Sequence, residues 1–188
     1  TKLTLPSSVQ IIEDEAFANC INLKEIKLPA GIMHIGKAAF SNCISLESIE
    51  IPDGIKSIEE SCFEGCESLE SISLPETVTI IKDKAFAGCT GIKNLILPDN
   101  LTSCTSNAFP NCQKYLPVNK VYRYENEMMV NTYNKMLLFF NGKRKKVVTP
   151  KDVRGIAFRA FYGTEAELIR ITDNITSISD EVFINAKN

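Results

Sequence analysis

Phe17, Phe40, Phe63, Phe86 and Phe109 stand 23 residues apart, and the residues around each one recur with it. The clearest copy runs from Leu28 to Glu50, LPAGIMHIGKAAFSNCISLESIE, and generalises to L-P-x-x-V-x-x-I-x-x-x-A-F-x-N-C-x-x-L-x-x-I-x. A fixed period of this length marks a stacked-coil solenoid, because one such unit cannot bury its apolar side without neighbours above and below.

Residue types assign the structure within a coil. In Leu23-x-x-Ile26-x-Leu28 apolar and polar residues alternate over the last positions, the pattern of a short strand buried on one face. Pro6, Pro29, Pro52, Pro75 and Pro98 follow these strands and, having no N–H for a ladder, end them at a corner. The pairs Val9/Ile12 and Ile55/Ile58 predict a second short extended segment. The A-F-x-N/G-C stretch then turns across the far side. Asn19, Asn42 and Asn111 share one site there with Gly65 and Gly88, and both residue types tolerate left-handed backbone angles.

The chain has 7 cysteines, and the repeat accounts for all of them. Cys20, Cys43, Cys66, Cys89 and Cys112 each fall three places after a repeat Phe. Cys62 takes the place of Ala16, Ala39, Ala85 and Ala108, and Cys104 that of Ile12, Ile35, Ile58 and Ile81. Substitution for small or apolar core residues predicts a ladder of buried free thiols. The spacing lacks paired C-x-x-C units and His34 stands alone, so neither a metal nor another cofactor is expected.

The frame breaks after the fifth coil. Lys120–Tyr124, Met128–Asn131 and Met136–Phe140 read as strands separated by Glu125–Glu127, Thr132–Lys135 and Asn141-Gly142, which predicts an inserted hairpin or three-stranded flap. The repeat resumes at Thr149-Pro150 with Val153, Ile156, Ala160 and Phe161. The expected organisation is five coils over residues 1–116, a flap over 117–148 and about two further coils over 149–188. Both ends fall mid-repeat, so any signal, cap or anchor is expected outside this stretch.

A net charge of -2 without a clustered basic face argues against nucleic acid, and no apolar run is long enough to span a bilayer. A monomer is expected.

The I-x-L/I-P-x-x-V-x-x-I-x-x-x-A-F-x-x-C unit resembles the BspA-like subgroup of bacterial leucine-rich repeats. Five coils match closely and two loosely. Met129–Lys135 and Leu138–Lys143 resemble an interruption common in that family, with Asn141 where proline is usual. The resemblance implies an α/β-type repeat solenoid: a right-handed leucine-rich-repeat coil stack of short parallel strands and turns with an inserted β-hairpin. It also implies an extracellular or cell-surface, non-enzymatic module that binds a host-matrix or bacterial surface protein, or a glycan, as an adhesin. The rival readings are a spacer in a larger surface protein and an accessory targeting domain of a larger enzyme.

Two surfaces are candidates for binding. The outward strand positions Lys2/Thr4, Glu25/Lys27, Ser48/Glu50, Ser71/Ser73 and Asn94/Ile96 stack into one extended polar face, with Arg170 resuming the series. Lys27 beside Glu50, and the row Lys24–Glu47–Glu70–Lys93, are expected charge neighbours on that sheet; the same face equally serves solubility. The flap concentrates Tyr122, Tyr124, Tyr133 and Phe139 with Met128, Met129 and Phe140, although strand alternation requires about half of these to pack inward. The tip Gly142-Lys143-Arg144-Lys145-Lys146 is basic and reads first as a solvated turn. No nucleophile, acid or phosphate loop occurs at a motif spacing, so no catalytic residue is assigned.

Overall fold

The structure is a computed structural model and describes residues 1–105, 107–109 and 121–187, with Asn94 described by its backbone alone. Pro110, Asn111 and Cys112, together with the start of the expected flap at 117–120, lie outside the described residues. Contacts divide the chain into two compact units, one of Thr1–Leu101 with Asn107–Pro117, the other of Thr102–Ser106 with Val118–Asn188.

In the first unit each coil supplies a three-residue strand and most supply a second of two residues. The pairs are β1 (Lys2–Thr4) and β2 (Ile11–Ile12), β3 (Glu25–Lys27) and β4 (His34–Ile35), β5 (Ser48–Glu50) and β6 (Ser57–Ile58), β7 (Ser71–Ser73) and β8 (Ile80–Ile81), followed by β9 (Asn94–Ile96). β1, β3, β5, β7 and β9 form a parallel sheet in that order, in register at Leu3↔Ile26 and Ile49↔Ile72↔Leu95. Ile26, Ile49, Ile72 and Leu95 point inward and are buried. At the corner after each strand the N–H of Val9, Ile32, Ile55 and Val78 donates to the carbonyl of the preceding proline at 3.0–3.2 Å.

The phenylalanines stack through the interior. Ring centroids of Phe17, Phe40, Phe63, Phe86 and Phe109 are 5.2, 5.5, 5.5 and 5.3 Å apart in sequence, with rings within 10° of parallel. Beside them runs a thiol ladder. The Cys43, Cys66 and Cys89 thiols donate to the carbonyls of Phe17, Phe40 and Phe63 at 3.2, 3.2 and 3.0 Å. Cys43, Cys62, Cys66, Cys89 and Cys104 are free and buried as expected. Cys20 is free but exposed, a correction to the all-buried ladder, since its coil has a neighbour on one side only in this chain.

The far-side turn needs two left-handed residues. Asn19, Asn42, Gly65 and Gly88, two after the Phe, have φ of 57 to 74°, as their residue types predict. Two before the Phe, Glu15, Ala38, Ser61 and Lys84 are also left-handed, with φ of 52 to 58°. Neither type nor pattern announces that second site. Left-handed residues on both sides of the Phe break any helical run. No helix occurs among the described residues, and the α/β label narrows to an all-β solenoid.

The second unit contains β10 (Ser103–Cys104), β11 (Tyr122–Glu125), β12 (Met128–Asn131), β13 (Met136–Phe140), β14 (Lys146–Val148), β15 (Gly155–Ile156), β16 (Leu168–Arg170) and β17 (Ser177–Ile178). β11, β12 and β13 form an antiparallel meander. The β11–β12 loop is Asn126-Glu127, at φ 49° and 64°, the left-handed pair that two-residue turns use to match strand twist. β13 then pairs in parallel with β15, and β14 with β16. Leu137 lies in register with Ile156, and the Phe140 ring lies 5.7 Å from Phe161, which in turn lies 5.6 Å from Phe183. Met136 to Val148 therefore run as a coil with Phe140 in the repeat Phe position, although the sequence reading assigns them to a flap. The core of this unit gathers Met128, Val130, Leu137, Phe140, Val147, Val153, Ile156 and Phe161.

Candidate functional site

Two surfaces emerge from these coils, one in each unit. In the first, the parallel register places the outward strand positions in two rows. Lys2, Glu25, Ser48, Ser71 and Asn94 align in one, and Glu50, Ser73 and Ile96 in the other. Glu25, Lys27, Ser48, Glu50, Ser71 and Ser73 are all exposed, and Ile96 is 72% exposed. The side chain of Asn94 lies outside the described residues.

Charge on this sheet is partly compensated from coil to coil. Lys2 pairs with Glu25, Lys24 with Glu47 at 3.3 Å, and Lys93 with Glu70 at 3.0 Å. Such exposed pairs, screened by solvent, contribute little to stability. Lys27 and Glu50 form no ion pair with each other or with any other described residue, so both charges stay available to solvent. Glu25, Lys27, Ser48 and Glu50, with Asp53 at the corner, border a shallow open groove.

The meander places its aromatic residues unevenly. Tyr122 is fully buried and Phe139 is 1% exposed, so neither belongs to a binding surface, a correction to the sequence reading. Every residue of β12 and four of five in β13 are buried, so the strands are covered on both faces and carry no outward alternation. Tyr124 and Tyr133 are exposed, the latter at 74%. The Asn131 Oδ1 accepts from the N–H of Tyr133 at 2.9 Å and of Asn134 at 3.3 Å, which fixes the loop that presents Tyr133. The Tyr124 hydroxyl donates to Asn141 Oδ1, and burial of the ring pushes its phenol pKa up. Asn141 thus tethers β11.

Arg123 ties the meander to the coil that follows. Its Nη1 and Nη2 donate to the two carboxylate oxygens of Asp152 at 3.0 and 2.9 Å, and Glu125 lies 3.0 Å from its Nε. Hydrogen bonding to Arg123 holds the Asp152 carboxyl below its ordinary range and, reciprocally, raises the arginine. The pair is a bidentate clamp, a geometry that fixes orientation as well as charge. The charged residues of this clamp were not singled out by the sequence, since neither belongs to a recognisable spacing.

Among the described residues no group of His, Cys, Asp or Glu side chains could hold a metal ion, and His34 stands exposed on β4. Burial pushes the Cys43 thiol up to about 11 and the Cys66 thiol up to about 12, the opposite of a reactive nucleophile. No helix of the described residues is long and apolar enough to cross a membrane.

Parallel strands in register, a phenylalanine stack and a cysteine ladder at one period define the repeat chemically. The profile of the BspA type leucine rich repeat region matches six copies across residues 1–116 and 130–188. The chain belongs to this family. The second stretch of the match includes Met136 to Val148, in agreement with their coil geometry. No curated protein sequence matches the chain.

Among solved structures, a leucine-rich cell surface protein of Faecalibacterium prausnitzii is similar at 26% identity and a TM-score of 0.62, over 98% of this chain and 52% of that one. The chain thus spans about half the length of that relative. A leucine-rich repeat protein of T. pallidum aligns at 24% identity and a TM-score of 0.59, over 98% of this chain and 75% of its own. The pneumococcal vaccine antigen PcpA aligns at 21% identity and a TM-score of 0.56, over 98% and 48%. The last two speak to the BspA-type fold alone. Of these, the protein of Faecalibacterium prausnitzii is described as a leucine-rich cell surface protein.

Proposed function

We propose that this chain is a non-catalytic recognition module of an exported bacterial surface protein, binding a host-matrix or bacterial surface protein, or a glycan, as part of adhesion. The observation that supports the reading is the five-stranded sheet with exposed polar rows in register and with Lys27 and Glu50 unpaired beside the groove. An extended parallel face of this kind is where solenoids engage partners. Tyr124 on the β11–β12 hairpin and Tyr133 in the β12–β13 loop supply a second contact, and we read that hairpin as an insertion into a right-handed coil stack.

A spacer is the rival reading, and the coil-to-coil ion pairs favour it, because side chains that satisfy one another need no partner. Accessory targeting of an enzyme borne on the same protein is a third. Fibronectin, fibrinogen, laminin, mucin and a glycan array form the test panel, with K27E/E50K and Y124A/Y133A as variants. Capture lost in either variant assigns the face. Indifference of every panel member to the wild-type chain would leave the spacer.

A further inference from the structure

We infer that the outer face of β14 and β16 docks an acidic, partly apolar segment of a partner protein, an inference that rests on the recognition reading above. In the first unit the first and third residues of β3, β5 and β7 are charged or serine. At the same places β14 and β16 carry Lys146 and Val148, and Leu168 and Arg170, all four exposed. The parallel register sets Lys146 opposite Leu168 and Val148 opposite Arg170, so cations and aliphatic side chains alternate as a checkerboard. Val148 and Leu168 are each 54% exposed. A sheet face that meets water ordinarily alternates to polar residues on that side, and adjacent exposed aliphatics mark a contact surface.

The charges around them select the occupant. Arg144 pairs with Glu127, Lys145 with Glu167 and Lys187 with Glu165, at 3.4, 3.2 and 3.0 Å. Lys143, Lys146 and Arg170 form no ion pair among the described residues, and all three are exposed. Three unpaired cations thus flank two aliphatic side chains. A nucleic acid or sulfated glycan would use the cations and gain nothing from Val148 and Leu168. A lipid surface requires a wider apolar footing than two side chains provide. Carboxylates interspersed with aliphatic side chains on a polypeptide complement both halves of the checkerboard.

The test is surface plasmon resonance of the chain against a soluble ten-residue peptide alternating Glu and Leu. A Glu-Ser analogue, heparin and phosphatidylglycerol vesicles serve as comparison probes. Binding of the Glu-Leu peptide should weaken at least tenfold in K146E/R170E and severalfold in V148S/L168S, while K56E retains it. Circular dichroism confirms that both double variants fold, and their substitutions are independent of one another. Less than a twofold change in both, or tighter binding of heparin or vesicles than of the peptide, overturns the proposal. A matrix-protein hit from the panel that K146E/R170E leaves unchanged also overturns this surface, while the recognition reading survives. Peptide binding at the checkerboard with no hit in the panel supports this surface and counts against that reading.

Discussion

The Cys66 thiol donates to the Phe40 carbonyl one coil earlier, 3.2 Å away, inside a wall that admits no solvent. Cysteine is thus more than a small apolar filler at this position, because alanine would leave that carbonyl without its thiol partner. Burial raises the Cys43 and Cys66 thiols to about 11 and about 12, while an unfolded thiol ionises at about 8.5. The sign follows directly. Above pH ~9 the unfolded chain sheds protons that the folded chain keeps, so stability from these groups is complete at neutral pH and is lost as pH rises. Urea midpoints should hold steady from pH 6 to 8 and fall between 9 and 11, with a shallower fall in C66A than in the wild type. Equal slopes in the two proteins would show that Cys66 ionises freely.

Phe63 lies between Phe40 and Phe86 at 5.5 Å from each and is fully buried. Phe63→Ala is expected to cost ~3–5 kcal/mol, since removing the ring opens a cavity that neighbouring coils cannot close. Chemical denaturation measures it. A cost below ~1 kcal/mol would mean that the stack carries little of the core's stability.

Much of this architecture can be read from the residues, and the failures have physical causes. The Phe interval, the proline corners and the Asn/Gly site each involve a residue type chosen for one geometric task, so their spacing reports the coil. Glu15, Ala38, Ser61 and Lys84 adopt left-handed angles because the stacked backbone imposes them, and their side chains give no sign. Tyr122 and Phe139 looked available because large residues outside a repeat resemble a surface. The strand of Phe139 is covered on both faces, which erases the alternation that separates inside from outside, and on β11 Tyr122 is buried while Tyr124, two residues on, is exposed. Met136 to Val148 escaped the repeat frame because Phe140 precedes Phe161 by 21 residues and lacks the Ala-Phe-x-Asn-Cys surround. The outward sheet rows were legible, since strand alternation and a constant period fix them together.

Lys84 offers a test of the imposed backbone. Its φ is 55° and its side chain is exposed, so the left-handed angle costs roughly 1 kcal/mol with no packing to offset it. Lys84→Gly removes that penalty and adds about 0.5–1 kcal/mol of unfolded-state entropy. The net expectation is neutral to modestly stabilising, whereas Lys84→Ala, which keeps the strain, gains nothing. Loss of more than ~1 kcal/mol in the glycine variant would contradict a left-handed turn at this site.

Asp152 should make the meander sensitive to acid. Its carboxyl is held below the usual range by the Arg123 hydrogen bonds, so the clamp's contribution is present above the unfolded carboxylate pKa and is lost as pH falls through the folded value. Hydrogen exchange from the amides of Tyr122 to Asn131 should quicken at pH 3 relative to pH 6, beyond the intrinsic pH effect. In D152N the neutral amide replaces the carboxylate, and exchange should already be fast at pH 6 with little further acid dependence. Unchanged protection in D152N would show that the clamp does not hold the strands.

Tyr133 is displayed by a loop whose amides are fixed on the Asn131 side chain. Large, rigid side chains contribute disproportionately at interfaces, and their value falls when the loop must be ordered on binding. Asn131→Ala should therefore weaken any partner held through Tyr133 without touching it directly, while raising the mobility of Thr132 to Lys135. For a partner held on the sheet rows, N131A and Y133A should both be silent and K27E/E50K should not. Parallel titrations of the three variants against one captured partner separate these cases. Loss in Y133A with full retention in N131A would mean that the ring acts from a flexible loop, and the case for a preorganised contact would fall.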